Sequence, residues 1–518
     1  MSPLLQHLPY DVLQHIALLC APPGLAPPTD LCSLLATCRA LCDALNRTSS
    51  PHVYAAIFRL KYARNALPDS ALARELVQRC CALRRCRDLD MSVPRLRQDL
   101  WTLLWLVIEE GPCAPLSEAR FTKFLVELAQ HHLSTEVRVP PQNDLQSLVI
   151  WLLCFGFTRE DILSQSPELR NTLLALLRPF VSVSTPRSRF TSPLPSSHIA
   201  LTATSPLPAR LGPQFHDDDD ITHYNTRVRV ESLPPPTSAA IILTFALKEA
   251  VPMQIPYHIP ATRAIAAAEN RPGPTAEDYA VFQRAGTLLF SDVHATHPAA
   301  TLPSGAPSYH CISDVLQLQL PARSPGTLTG VWEGALMISS CAPLGDAAAP
   351  QSPDFLCRTP MQCEFTEYFC RGPCRLPPLA LPSASNVGTS PCERFPKDPE
   401  LVENPASQMF KLGDDLRDYD LDDPTLDHIL VGQTLPAHEE AWGSGGFNFA
   451  GRVQDDGLIV FTRQPDDDEN PTPETWVFEG HLRYGTALVG TFRSSSSGNL
   501  CGIQGIFSMR KRAEAPPQ

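Results

Sequence analysis

Apolar residues recur at helical spacing through the first third of the chain. The stretch Leu8-Pro9-Tyr10-Asp11-Val12-Leu13-Gln14-His15-Ile16 opens it, with Pro9 suited to a first helical turn. After a proline-rich break at Pro22 to Pro28, Leu31, Leu34, Leu35 and Cys38 repeat at helical spacing, and Leu41 and Leu45 continue that face. Phe121, Phe124, Leu125 and Leu128 follow the i, i+3, i+4, i+7 pattern, as do Leu145, Leu148, Val149 and Leu152. The runs Leu100 to Ile108 and Leu145 to Phe157 are the most apolar and read as buried helices. Thr158 and Asp161 form a capping box before a helix whose apolar side includes Leu169, Leu173 and Leu176.

From Val181 to about Pro213 the chain is rich in Ser, Thr and Pro and loses periodicity, which predicts a linker over 181–220. Beyond Ile221 short apolar runs between Pro and Gly, such as Ala239 to Leu247 and Val315 to Leu320, predict strands. Phe447, Phe449, Gly451 and Val453 alternate with other residues, Asp455-Asp456-Gly457 supplies a turn, and Leu458 to Thr462 completes a hairpin. Trp476 to Tyr484, Leu488 to Phe492 and Gly505 to Met509 extend it into a meander. Gly330, Gly334, Gly451, Gly480, Gly490 and Gly505 fall on the alternating face, where glycine relieves crowding or permits the curvature that closes a barrel. The expected architecture is α+β and multidomain. An all-α N-terminal region divides into a module at 1–62 and a helical brace at 63–180; an antiparallel β-barrel-like domain at 221–512 carries long disordered loops near 376–425 and 464–474.

A chain of 518 residues exceeds what one core holds, about 250 to 300 residues, so a division into domains is required. The formal charge of −13 argues against a phosphate-binding surface, and nucleic acid is not an expected partner. Seventeen cysteines without a repeating spacing do not form a disulfide framework, which fits a reducing compartment. The N-terminus lacks the pattern of a secretory signal, and the apolar runs fall short of the roughly 20 residues that span a bilayer. A cytoplasmic or nuclear location is therefore expected, with no membrane partner.

The opening residues Leu8-Pro9-x-x-Val12-Leu13-x-x-Ile16, then Leu31-x-x-Leu34-Leu35-x-x-Cys38-Arg39 and His52-Val53-Tyr54-x-x-Ile57-Phe58, resemble the F-box. Gly330-Val331-Trp332-Glu333-Gly334, Asp354-Phe355-Leu356-Cys357-Arg358, His438-Glu439-x-x-Trp442-Gly443 and Trp476-x-Phe478-x-Gly480 look like large fungal F-box proteins. Their C-terminal half is loosely similar to the β-barrel of the cyclin-D-binding F-box family. The resemblance implies a substrate-recognition subunit of a cullin-based ubiquitin ligase, non-catalytic itself. Leu8, Pro9, Leu13, Ile16, Leu34 and Leu35 would meet a Skp-type adaptor and, through it, a cullin scaffold. The connection from Cys20 to Asp30 is longer than the family's usual one.

Chemistry elsewhere is sparse. Cys357, Cys363, Cys370, Cys374 and Cys392 lack the paired spacing of a zinc site, and His438-Glu439-Glu440 lacks the second histidine of a zinc hydrolase. No nucleophile elbow or phosphate loop appears, so no metal, cofactor or catalytic residue is expected. Trp332, Arg452, Trp476 and Arg493 are candidates for a target-binding surface because Trp and Arg dominate interface energetics, with core packing the competing account of both tryptophans. His438 and Trp442 are expected to order a loop at the barrel mouth. The competing function is a ligand-binding or hydrolytic β-barrel unconnected to a ligase.

Overall fold

The computed structural model describes residues 8–21, 28–62, 67–111, 114–134, 144–181, 220–224, 226–229, 236–271, 273–296, 326–339, 355–371, 409–411, 426–442, 445–454, 457–466, 475–494 and 503–512. All of the expected linker over 181–220 but its two end residues, the strand at 315–320 and most of the two long loops lie outside them. The chain divides into two compact units that are not sequential: 1–177, 196–236 and 289–316 form one, and 178–195, 237–288 and 317–518 the other. Residues 220–229 and 290–296 thus group with the N-terminal helices, although the sequence suggested a β domain from 221 onward.

The first unit holds α1 (Tyr10–Leu19), α2 (Thr29–Thr37), α3 (Arg39–Leu45), α4 (Pro51–Tyr62), α5 (Asp69–Asp88), α6 (Leu96–Glu110), α7 (Ala114–Glu118), α8 (Phe121–Leu133), α9 (Asp144–Gly156), α10 (Arg159–Ser164) and, as far as Leu177, α11 (Pro167–Val181). A two-stranded hairpin, β1 (Asp220–His223) and β2 (Thr226–Arg229), completes it together with a helix at Phe290–Thr296. In α6 every side chain from Asp99 to Glu109 is buried, as are Leu148 to Phe155 of α9. Helices apolar all round belong at the centre of a bundle, and these two pack against each other.

Two sequence expectations need correction here. Leu31 to Leu45 is not one helical face, because Cys38 is extended (φ −160°, ψ 160°) and separates α2 from α3. The Thr158–Asp161 capping box is present but opens only the six-residue α10. Pro167, with no backbone N–H to give, begins a new helix whose buried residues are Leu173, Leu177 and Val181.

The second unit is a closed antiparallel barrel of eight strands with helices on its outer wall. In chain order the helices α12 (Thr237–Glu249), α13 (Arg263–Ala268) and α14 (Ala276–Arg284) come first; the helix at Phe290–Thr296 becomes α15. Then follow β3 (Gly330–Ser339), β4 (Phe355–Arg371), β5 (Met409–Lys411), β6 (Leu426–Gln433), α16 (Pro436–Trp442), β7 (Phe447–Val453), β8 (Leu458–Pro465), β9 (Trp476–Arg483), β10 (Ala487–Ser494) and β11 (Gln504–Lys511). The order β3-β11-β10-β9-β8-β7-β6-β4 closes through a β3–β4 pairing, and β5 adds to β4 outside the ring. The β7–β8 hairpin and the meander to β10 match the alternation in the sequence. Ala239 to Leu247, however, lies in α12. A continuous apolar run fits a buried helix as well as a buried strand, and all of these residues are buried where α12 packs on β10 and β11.

Closure depends on what fills the ring. Inward positions carry Trp332, Phe365, Phe449, Phe461, Phe478, Phe492 and Phe507, all buried in one cluster. Several of these rings sit against a glycine elsewhere in the wall. A methyl group added at Gly480 would lie 2.8 Å from Phe507, at Gly505 2.7 Å from Phe492, and at Gly432 2.8 Å from Phe365. Gly490 pairs directly with Gly480, and a Cβ there would fall 2.0 Å from the Glu479 carbonyl oxygen. The strands approach so closely that relief by side-chain movement is blocked. We expect Gly490→Val to cost about 3 kcal/mol or more in equilibrium unfolding; an unchanged midpoint would show that the wall tolerates a side chain there.

Candidate functional site

Two surfaces bear on function, one in each unit. In the first, α1 packs against α3 and α4 through Leu13 and Ala17, both buried. Pro9 precedes α1 at the N-cap position rather than inside the first turn, and its carbonyl accepts the amides of Val12 and Leu13. The Tyr10 hydroxyl bonds that of Ser50, tying α1 to the start of α4. The remaining apolar residues of α1 are not enclosed. Leu8 and Ile16 are half-buried, Pro9 is exposed, and Tyr10, Val12 and Leu19 are 44%, 39% and 73% exposed. On α2, Leu31 is buried while Leu34 and Leu35 are half-buried. Of the six adaptor candidates, Leu13 therefore belongs to the module's own core and the other five reach its surface.

In the barrel, the six target-binding candidates do not converge. Trp332 is fully buried in the interior, where its indole N–H donates to the Leu328 carbonyl at 2.7 Å; it is core and not surface. Trp476 lies at the end of the barrel interior, stacked on Phe492 with ring centroids 5.2 Å apart. The Arg463 guanidinium lies over its ring at 4.4 Å and also 3.8 Å from the Phe447 ring centre. Arg452 and Arg493 are half-buried on the outward-facing positions of β7 and β10, and Arg493 pairs with Glu479 at 3.4 Å. His438 and Trp442 sit on the helix α16 and not on a loop, and Trp442 meets Tyr279 and Phe282 of α14 edge to face. Burial, followed by the positive charges of Arg463 and Arg512, pushes the His438 imidazole down to about 4 against the opposing Glu333, so it is neutral near pH 7.

Among the described residues, both ends of the barrel carry groups that lie over the core. Opposite the Arg463–Trp476 stack, the segment 326–329 crosses to a buried carboxylate, Glu367 of β4. Glu367 accepts from the amides of Leu328 and Thr329 at 3.0 and 2.7 Å and from the Thr329 hydroxyl at 2.8 Å. Its other oxygen meets His428 Nε2 of β6 at 3.0 Å. Lys511 Nζ donates to the Gly326 and Thr327 carbonyls, so the same segment is held from β11. Burial works to raise the Glu367 carboxyl, but the hydrogen bonds from His428 and Thr329 outweigh it and hold the group below its ordinary value. On the outer wall, Glu249 of α12 accepts from Thr287 and pairs with Arg358 of β4 at 3.3 Å. The crevice beside them has room for little more than a water molecule.

Sequence reasoning missed Glu367, His428 and Arg463. The available signal was a charged residue at an inward position of an otherwise apolar strand, legible only once the register is known. Cys363 is buried in the barrel core, and among the described residues no group of three or more His, Cys, Asp or Glu could hold a metal. None of the described helices is long and apolar enough to cross a membrane.

The chain is thus a helical unit with a small, partly uncovered N-terminal module and a separate solid-cored antiparallel β-barrel. No family model, no curated protein and no solved structure matches it.

Removing the Glu367 carboxylate by Glu367→Ala leaves two amides, a hydroxyl and an imidazole without their acceptor, and we expect a loss of about 3–5 kcal/mol in barrel stability. Because the folded carboxyl titrates below its unfolded value, its contribution is present above the ordinary glutamate range and is lost as pH falls through the folded pKa. Chemical unfolding of wild type and Glu367→Gln between pH 3 and 7 checks this: the difference between them should shrink at the acid end.

Proposed function

We propose that this chain is the substrate receptor of a cullin-based ubiquitin ligase, its N-terminal helical module binding a Skp-type adaptor and its barrel unit holding a protein target. The observation that carries the proposal is the division of apolar residues on α1 and just before it: Leu13 and Ala17 satisfy the module's own core, while Leu8, Pro9, Tyr10, Val12, Ile16 and Leu19 remain open or half-open. An apolar surface left by so small a module is the kind that a partner covers. The resemblance of Leu8-Pro9-x-x-Val12-Leu13-x-x-Ile16 to the F-box supplies the partner's class.

The packed barrel interior favours target capture over small-molecule chemistry, because recognition is then confined to rim, wall and loops. The protein would accelerate ubiquitin transfer through proximity, raising the effective concentration of the target near the charged conjugating enzyme. The action would lie in the cytoplasm or nucleus.

Binding to a recombinant Skp-type adaptor tests the reading. Val12→Asp together with Ile16→Asp places two charges on the open face and should weaken capture at least a hundredfold without shifting the melting temperature. Leu13→Asp is unsuitable, since Leu13 is only 6% exposed and its substitution would unfold the module. Undiminished adaptor binding by the folded double variant, or none by wild type, would overturn the assignment.

A further inference from the structure

The helical unit buries an ionic cluster that serves neither surface described above. Glu75 and Arg79 stand one turn apart on α5, Glu109 lies on α6, and all three are buried. Arg79 Nε donates to Glu75 at 3.1 Å, and Nη2 donates to Glu109 and, at 2.9 Å, to the Tyr224 hydroxyl. Nη1 faces Glu110 at 4.0 Å. The guanidinium also lies over the rings of Tyr62 and Phe58 from α4, 4.4 and 5.1 Å from their centres.

Taken alone, the helices would enclose two carboxylates around one guanidinium. Such an imbalance is costly in an interior. The missing charge arrives from the β1–β2 hairpin, far along the chain. His223 Nε2 meets Glu109 at 3.0 Å, its Nδ1 lies 3.4 Å from Glu75, and its ring stacks on Trp105 with 4.2 Å between centroids and 8° between planes. The Tyr224 amide donates to Glu75 at 3.1 Å and its hydroxyl to Glu109 at 2.9 Å. Tyr224 adopts φ +46°, a conformation uncommon for a bulky residue and held here by that ring of contacts.

We infer that Glu75, Arg79 and Glu109 form a socket for a histidine–tyrosine corner, and that His223 and Tyr224 of the β1–β2 hairpin are its built-in occupants, a strap that closes the helical unit from beyond residue 219. The socket supplies two acceptors for an imidazolium, an amide acceptor and a donor–acceptor pair for a phenol, and an indole face for the imidazole. Undocking the strap leaves net negative charge between α5 and α6 and removes one side of the aromatic layer that α4 contributes. The inference is independent of any ligase partner. Among the described residues, Tyr62 of α4, Glu110 of α6 and Tyr224 of the strap itself are further titratable groups of this cluster.

Charge balance makes docking depend on the histidine proton. Burial disfavours the imidazolium, but Glu75 and Glu109 outweigh it and push His223 up to about 9 from an ordinary 6.5. A raised folded value means the contribution is full below the ordinary histidine range and is lost as pH climbs through about 9. Hydrogen exchange on the full-length chain, expressed as protection factors corrected for intrinsic rates, tests both points. Between pH 7 and 9.5 the amides of α5 and α6 should lose at least tenfold protection, while those of β7 to β11 hold. At pH 7, Tyr224→Phe should lower protection in α5 and α6 several-fold, and His223→Gln should lower it further and remove the pH dependence. Unchanged protection of α5 and α6 in folded Tyr224→Phe, or a loss shared equally by the barrel, would overturn the strap.

Discussion

Closing eight strands into a ring sets a volume problem that everything in the barrel unit answers. Phenylalanine rings occupy space that only glycine elsewhere in the wall can leave, as Phe507 of β11 does over Gly480 of β9 and Phe492 of β10 over Gly505 of β11. Rings and glycines are therefore one device, and neither can change alone. A ring filled this way is a core and not a container. A ligand of any size would therefore have to meet the rim or the wall of this unit.

The second recurring device is a buried carboxylate whose partners come from distant parts of the sequence. Glu367 joins β4 to β6 and to the segment before β3. Glu249 joins α12 to β4 and to the chain after α14. Glu75 and Glu109 join α5 and α6 to residues beyond 219. In each case the cost of stranding a charge in the interior singles out one placement for elements whose apolar packing alone would allow several. Both units use this means, one with strands and the other with helices.

The sequence revealed period more readily than assembly. The helical faces of 121–128 and 145–152 and the alternation from 447 to 509 identify elements correctly, because one buried face stamps its spacing on the chain. The apolar stretch 239–247 carries no such stamp, since α12 is enclosed on all sides, and its helical state follows from length and context. The break at Cys38 was equally hidden, as leucines at suitable spacing lie on both sides of it. Candidate sites fared according to the range of their signals. The half-open apolar residues of α1 and α2 are local and could be named. Trp332 was chosen for its residue type, and its burial depends on barrel register. Glu75, Arg79 and His223 could not be associated at all, because the contacts between socket and occupant span 114 to 149 residues and a single sequence offers no trace of that pairing.

The arrangement of the last strand has a further consequence for biogenesis. β11 lies between β10 and β3, and its pairing with β3 completes the hydrogen-bonded circuit. While the ribosome still holds residues 504–511, both neighbouring strands have bare edges and the aromatic interior is open to water. A chain cut short just before Gln504 would keep those two adhesive strand edges and be prone to self-association.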